Sequence, residues 1–468
     1  MAIHWLNDDI LLQVFNCYRL DMEDDWNIRL RWRKLSHVCQ RWRYLVYACA
    51  FHLDIHIECT NGAPILDMLN HLPPLPLGVH YKTTDKYSRP ISLTEQDEWK
   101  LYHALRFHDR VRHIDLDLPP SITNKAVVLL DKHFPMLENL CLSHSESFAA
   151  ENSIPLPGPL TLPKAFLAPN LRHLTLPGIS PLRRLQLLTS TVSLVTLGFS
   201  NIQTSSYFPS RLLVARLQSL PHLAKLSIDF SISTPHPSVE RKLLGEQEDP
   251  VTLPSLKNLR FRGVNIYLES LVTQITAPLL EKLEITLFNQ IVFVLPQLSY
   301  LINITEAFQL PNAAVGFGRE EVYVTTAQHS SRRMERGSFF LRAMCKPLDR
   351  QIDCAAQIFH ALIPTLSGVE ELRLVIDYWE IPTEIRDGAI DSATWHDLLR
   401  SFIGVKKLYI YNMLLEDLSR ALQVGEVGSD PSFLPNLQSI YARHNIFTSF
   451  IDTRQGVGRP VQFKRYPW

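Results

Sequence analysis

The chain has 468 residues, too many for one ordinary core, so several units or one extended repeat array are expected. Hydrophobic residues make up 46% and charged residues 20%, which excludes a disordered chain. Lys+Arg and Asp+Glu each number 47, so no global field draws the protein to nucleic acid or an anionic membrane.

The seven cysteines are scattered and form no CxxC pair, which reads as free thiols in a reducing compartment and not as a disulfide framework. The N-terminus lacks a basic n-region and carries Asp8 and Asp9, so it is not a secretory signal. The most apolar stretch, Ile285 to Ile304, is interrupted by Asn289, Gln290, Pro296 and Gln297 and is no membrane span. The expected location is the cytosol or nucleus, with no membrane contact.

Residues 1–60 read as a helical head. Asn7, Asp8 and Asp9 suit a helix start, and Ile10, Leu11, Val14, Phe15 and Tyr18 follow at helical spacing. Leu35, Val38, Cys39, Trp42, Leu45 and Val46 predict a second helical stretch. A unit this small leaves apolar surface to be covered by the rest of the chain or by a partner groove.

The run from Trp5 to Phe15, and then Leu35-Ser-His-Val-Cys-Gln-Arg-Trp-Arg-Tyr-Leu45, resembles an F-box. The family opens Leu-Pro-x-Glu-Ile-Leu and closes Leu-x-x-Val-Cys-x-x-Trp-Arg-x-Leu. Asn7 and Asp9 stand where Pro and Glu are usual. The connection Arg19-Leu20-Asp21-x-Glu23, followed by Trp26-Asn27, is similar to the large F-box families of mushroom-forming fungi. The resemblance implies docking to a Skp-type adaptor and through it to a cullin. The matching contact positions are Leu6, Ile10, Leu11, Leu12, Val14, Phe15, Leu35, Val38, Cys39, Trp42 and Leu45, some of which serve internal packing.

After a connecting segment, residues 61–104, a Leu-x-x-Leu-x-Leu pattern recurs through residues 105–450, often after Pro-x or Pro-Asn. Copies begin at Val111, Leu137, Leu171, Leu194, Leu223, Leu256 and Leu280, then Val369, Val405 and Leu437. The last two apolar positions of each copy are two apart and face one way on a strand. Ser121–Phe134, Pro181–Thr189 and Thr394–Phe402 have helical patterning. The expected fold is therefore α/β, a small helical head followed by an irregular solenoid of parallel strands with helical returns. It resembles the leucine-rich-repeat proteins, but the ninth position, where regular members place Asn or Cys, is Asn only at Asn445. An ordinary parallel α/β domain is the competing fold. In the break at 299–365, Ala313–Phe317 and Glu321–Thr325 predict two strands about a turn, and Ala355–Leu362 a helix. Residues 451–468 read as a tail.

Repeat phase puts Asn258, Arg260, Arg262, Glu371, Arg373, Lys407, Tyr409, Tyr411, Tyr441 and Arg443 on the outward strand face, the candidate capture surface for an unidentified protein substrate. His52 and His56, with Glu58 and Cys59, have metal-ligand spacing on a helix, but Phe51, Leu53, Ile55 and Ile57 alternate as a strand does, so the histidines form a polar edge. GxSxG, HExxH and Walker motifs are absent from the sequence, so no catalytic residue, metal or cofactor is expected. Arg29, Arg31, Arg33, Lys34, Arg41 and Arg43, interleaved with Trp26, Trp32 and Trp42, are accounted for by helix solubility and by the nearby acidic stretch, which makes nucleic acid an unfavoured partner. The resemblances imply a non-catalytic substrate receptor of a cullin-type ubiquitin ligase. The alternative is a repeat scaffold with no ubiquitin role.

Overall fold

A computed structural model describes residues 6–20, 32–50, 53, 55–83, 91, 93–143, 162–163, 165–177, 191–202, 207–231, 250–288, 292–308, 311–318, 320–326, 339–345, 348–362, 366–376, 392–423 and 433–466. The chain divides into two units, Met1–Ser200 and Asn201–Trp468. None of the helices among the described residues is long and apolar enough to cross a membrane.

The first unit opens with helices α1 (Asp8–Leu20), α2 (Trp32–Ser36) and α3 (Gln40–Ala48). The second predicted helical stretch is thus two helices. Cys39 is extended (φ −157°, ψ 172°), and its sulfur accepts a hydrogen bond from Trp42 N at 3.5 Å, which ends one helix and caps the next. There follow β1 (Ile57–Thr60), α4 (Ile65–His71), β2 (Leu77–Lys82), α5 (Glu95–Leu105), β3 (Val111–Asp117), α6 (Pro120–Val128), β4 (Asn139–Ser143), β5 (His173–Pro177) and β6 (Thr196–Ile202). These strands pair in parallel with their neighbours in sequence, with no reversal of order. A doubly wound α/β domain has a reversal point, so strictly sequential order favours the repeat array. The sheet also takes in β1 and β2, so residues 61–104 supply a strand and two return helices and are not a mere connection. The sequence there does carry a Leu-x-x-Leu-x-Leu run, Leu72-Pro-Pro-Leu75-Pro-Leu77, but it ends where β2 begins, and the buried strand face is Leu77, Val79 and Tyr81.

The second unit contains α7 (Ser210–Leu217), β7 (Lys225–Phe230), β8 (Val251–Thr252), β9 (Asn258–Gly263), α8 (Asn265–Thr273), β10 (Ile275–Thr276), β11 (Lys282–Leu287), α9 (Pro296–Ile304), β12 (Asn312–Phe317), β13 (Glu321–Thr326) and β14 (Phe339–Met344). It continues with α10 (Leu348–Ala361), β15 (Glu371–Ile376), α11 (Ser392–Arg400), β16 (Lys407–Ile410), α12 (Leu415–Gln423), β17 (Ser439–Ala442), α13 (Thr448–Gly456) and β18 (Gln462–Arg465). The strand order is β7-β9-β11-β14-β13-β12-β15-β16-β17-β18. Pairing is parallel except at β13, which is antiparallel to both β12 and β14. The break at 299–365 therefore inserts a meander between two runs of parallel repeats, and parallelism is not uniform. The expected tail supplies α13 and a last parallel strand, β18 on β17.

The apolar positions of the repeat copies are buried, including Leu140, Leu142, Leu259, Phe261, Leu372, Leu374, Leu408 and Ile410. Burying each such side chain contributes about 1.5–3 kcal/mol before the ordering entropy is subtracted. The ninth positions Ile202, Val264 and Phe288 are also buried and so add to the core, while Asn445 is exposed and its Oδ1 accepts from Phe447 N at 3.4 Å. The turns before the strands are tied by another device. Asn170 Nδ2 donates to Pro135 O at 2.7 Å, Ser255 Oγ to Pro221 O at 2.8 Å and Asn436 Nδ2 to Ile403 O at 2.9 Å. Asn170, Ser255 and Asn436 follow Pro169, Pro254 and Pro435, so the polar residue after the proline of each of these turns bonds a carbonyl of the preceding repeat and satisfies it.

Candidate protein-interaction surfaces

The head divides the residues that match the F-box pattern into two sets. Leu11, Phe15, Leu35 and Leu45 are buried with Val46, and the Phe15 ring meets Trp42 edge-on at 4.7 Å. Leu6, Leu12, Cys39 and Trp42 are half-buried. Ile10, Val14 and Val38 are 43%, 45% and 57% exposed, with Tyr18 and Tyr44 also open. Ile10 and Val14 are one helical turn apart on α1, and Val38 lies in the break between α2 and α3.

Polar contacts fix this arrangement. Asn7 Oδ1 accepts from Ile10 N at 2.9 Å, starting α1. Arg41 joins α3 to α1 through Asp8 Oδ1 at 2.6 Å and Leu6 O at 2.7 Å. Arg43 Nε donates to Ser36 O at 2.9 Å, and the Arg33 guanidinium sits over Trp32. These members of the basic run are thus engaged within the head. Trp5, Trp26, Arg29 and Arg31 lie outside the described residues. On another side, α2 and α3 face α4 across a shallow cleft lined by Trp32, Tyr47, Met68 and Leu72.

The predicted capture residues occupy two separated groups of strands in the second unit. Asn258, Arg260 and Arg262 lie on β9 in register with Lys282, Glu284 and Thr286 of β11. Arg262 lies 3.7 Å from Asp229 and Arg260 3.9 Å from Glu284, so part of their charge is neutralised on the face itself. Glu371 and Lys407 are paired across β15 and β16 at 2.7 Å. Next to them Arg373, Tyr409, Tyr441 and Lys464 form a row across β15 to β18. The guanidinium of Arg373 lies 5.0 Å from the Tyr409 centroid, and Tyr409 stacks on Tyr441 at 4.3 Å. Lys464 Nζ lies 5.5 Å from the Tyr441 centroid, and Tyr466 closes the row edge-on to Tyr409 at 5.6 Å. A stacked aromatic pair between cations contributes about 0.5–1.5 kcal/mol per contact. Tyr409 is buried beneath its neighbours, so the accessible part of the row includes Tyr441 and Lys464. Burial raises the Tyr409 hydroxyl above its ordinary range, helped by Glu371 and Tyr441. Tyr411 lies beyond the end of β16, where its backbone N–H donates to Leu374 O, and Arg443 lies just past β17.

Sequence reasoning did not supply Lys464 or Tyr466, which sit outside the leucine copies. It named the first two strands of the meander but not β14, on which Phe340 stacks with Tyr323 at 5.6 Å and Arg342 faces Glu321 at 3.3 Å. Among thiols of the first unit, burial pushes Cys59 up to about 12 and Cys141 up to about 11, so neither is an activated nucleophile.

No protein-family model matches the chain, and no curated protein matches it. Among solved structures it is similar to the leucine-rich repeat-containing protein LegL7 from Legionella pneumophila, at 12% identity and a TM-score of 0.28 over 86% of this chain and 98% of that one. A match this distant carries no functional reading.

Proposed function

We propose that this chain is the substrate-recognition subunit of a cullin-type ubiquitin ligase. The helical head acts as an F-box for a Skp-type adaptor, which bridges to the cullin. The outward strand face of the repeats receives a protein substrate, and ubiquitin transfer falls to other subunits. The observation that carries this reading is the exposure of Ile10 and Val14 on α1 and of Val38 in the break between α2 and α3, while Leu11, Phe15, Leu35 and Leu45 of the same head are packed inside. These positions coincide with the residues that resemble the F-box pattern. The tyrosine row flanked by Arg373 and Lys464 supports the substrate half of the reading, because ordered aromatic and cationic side chains are the usual anchors of protein interfaces.

The test is co-elution of the full chain with a purified Skp-type adaptor. Binding by the parent, abolished by Val38→Arg in a chain with unchanged thermal unfolding, is expected. An adaptor that fails to bind the folded parent would remove the ligase reading.

A further inference from the structure

The first unit carries a cluster of side chains that the receptor function does not use. His56 precedes β1, Glu58 lies within it and His80 lies on β2. Parallel pairing sets Glu58 beside Gly78 and Thr60 beside His80, so the three side chains reach the same side of the sheet. His56 Nε2 lies 2.7 Å from Glu58 Oε1, and His80 Nε2 lies 3.0 Å from Glu58 Oε2. One ligand atom from each residue falls within 4.8 Å of the others. The side chains are largely withdrawn from water, at 13% exposure for His56, 14% for His80 and 7% for Glu58.

We propose that His56, Glu58 and His80 form a binding site for one divalent transition-metal ion of the zinc class. Two imidazole nitrogens and a carboxylate oxygen make a donor set that suits zinc and disfavours magnesium or calcium, which prefer all-oxygen shells. Ligand atoms around tetrahedral zinc sit about 3.3–3.5 Å apart, given metal–ligand distances of about 2.0–2.2 Å. The present separations, 2.7 and 3.0 Å from the carboxylate to the two imidazoles and within 4.8 Å across the set, bracket that spacing. A doubly charged ion would also neutralise a carboxylate held in a weakly solvated place.

Two further features belong to a built site. The first is Gly78. A Cβ there would lie 2.8 Å from both His56 Cδ2 and His80 Nε2 and 3.1 Å from Glu58 Oε2. The missing side chain thus leaves the space into which the three ligands converge. The second is an outer shell. The other ring nitrogen of His80, Nδ1, faces Asp115 Oδ2 at 3.8 Å, and Lys82 holds that carboxylate at 3.0 Å. A carboxylate behind a histidine fixes the ring's tautomer and orientation in metal sites. The His113 ring packs on His56 at 5.1 Å. The cluster was hidden in the sequence because the tempting pair was His52 with His56. His52 lies outside the described residues, and the partner histidine comes from the next strand.

Full-length protein is stripped with chelator and titrated calorimetrically with zinc chloride, with Co2+ absorption as a second readout. One more zinc ion should bind to the parent than to a Glu58→Gln, His80→Asn variant. The parent alone should give the strong visible Co2+ bands of a low-coordinate site. Gly78→Ala removes no ligand yet should weaken zinc at least tenfold, and Asp115→Asn about 10–100-fold. Folding is checked by thermal unfolding in chelator. Should Gly78→Ala fail to fold, Asp115→Asn and the Co2+ spectrum of the parent still decide. Equal zinc stoichiometry in parent and ligand variant, or a parent Co2+ spectrum of the hexaaquo type, would overturn the proposal and leave a proton-sharing cluster.

Discussion

Replacing Arg454 by alanine is expected to destabilise the C-terminal end of the second unit by about 3–5 kcal/mol. Arg454 lies on α13 and is fully buried. Its Nη1 donates to Phe433 O at 3.2 Å and its Nη2 to Leu434 O at 2.5 Å, while the guanidinium sits 5.6 Å from the Phe450 centroid. Leu434 has φ +40°, a left-handed conformation that costs a branched side chain about 1–2 kcal/mol and needs its surroundings to hold it. Each hydrogen bond from a charged donor contributes about 1.5–3 kcal/mol, and the cation–π contact about 0.5–1 kcal/mol or more. Against these stands the desolvation of the cation, whose pKa is lowered by burial with Arg459 nearby. Alanine loses the bonds, the ring contact and the stem packing, and takes a donor from the buried Phe433 carbonyl and from Leu434 O, which keeps only the backbone bond from Leu437 N at 3.1 Å. Methionine keeps the stem and removes the buried charge, so Arg454→Met should cost about 1–2 kcal/mol. Urea unfolding of the full chain, with hydrogen exchange over residues 433–465, resolves the two variants. An alanine variant as stable as the parent, or a methionine variant as damaging as alanine, would refute this division between packing and charge.

Gly404→Ala should destabilise the second unit by about 3 kcal/mol in thermal or urea unfolding, because the new Cβ would run into the Ser367 carbonyl, a backbone group that cannot rotate away. The first unit should lose stability in acid. Burial alone would raise the Asp115 carboxyl, but His80 and Lys82 bring it down to about 2. Its contribution is therefore present above the unfolded value near 4 and is lost as pH falls toward 2. That amounts to about 1–2 kcal/mol after allowance for exposure, and Asp115→Asn should flatten this part of the profile. Glu58 acts in the same direction, since burial raises it but the hydrogen bonds of His56 and His80 hold it well below the ordinary carboxylate range.

The repeat body was the most legible part of the fold. Leu-x-x-Leu-x-Leu encodes a buried strand face within a few residues, and each copy needs only its neighbours to bury it. What needed long-range register was not legible. Glu58 and His80 meet only because β1 and β2 pair as they do. The strand pair at 312–326 was readable from its alternation, but its insertion as a meander between parallel repeats depends on pairing with β14 and β15. Arg454 fell in the stretch read as a tail, and its burial depends on packing of α13 that the local sequence does not announce. Cys39 was hidden as a helix stop because its thiol is a weak cap. In the head, apolar spacing identified the helices but could not separate Leu11 and Phe15 from Ile10 and Val14. The three-dimensional packing of α1 against α3 makes that separation.

The adaptor-docking reading is tested most directly by calorimetric titration of a Skp-type adaptor into the parent and into an Ile10→Arg, Val38→Arg variant. Both positions are open, so the variant should keep the parent's thermal unfolding within about 0.5 kcal/mol. Losing two apolar anchors and placing charge against an apolar groove should weaken binding by about 100-fold or more, at about 1.4 kcal/mol per factor of ten. Tight binding by the parent with that loss is the expected result. A folded parent that binds no adaptor, or a variant that binds as well as the parent, would contradict the assignment of the head as an adaptor dock.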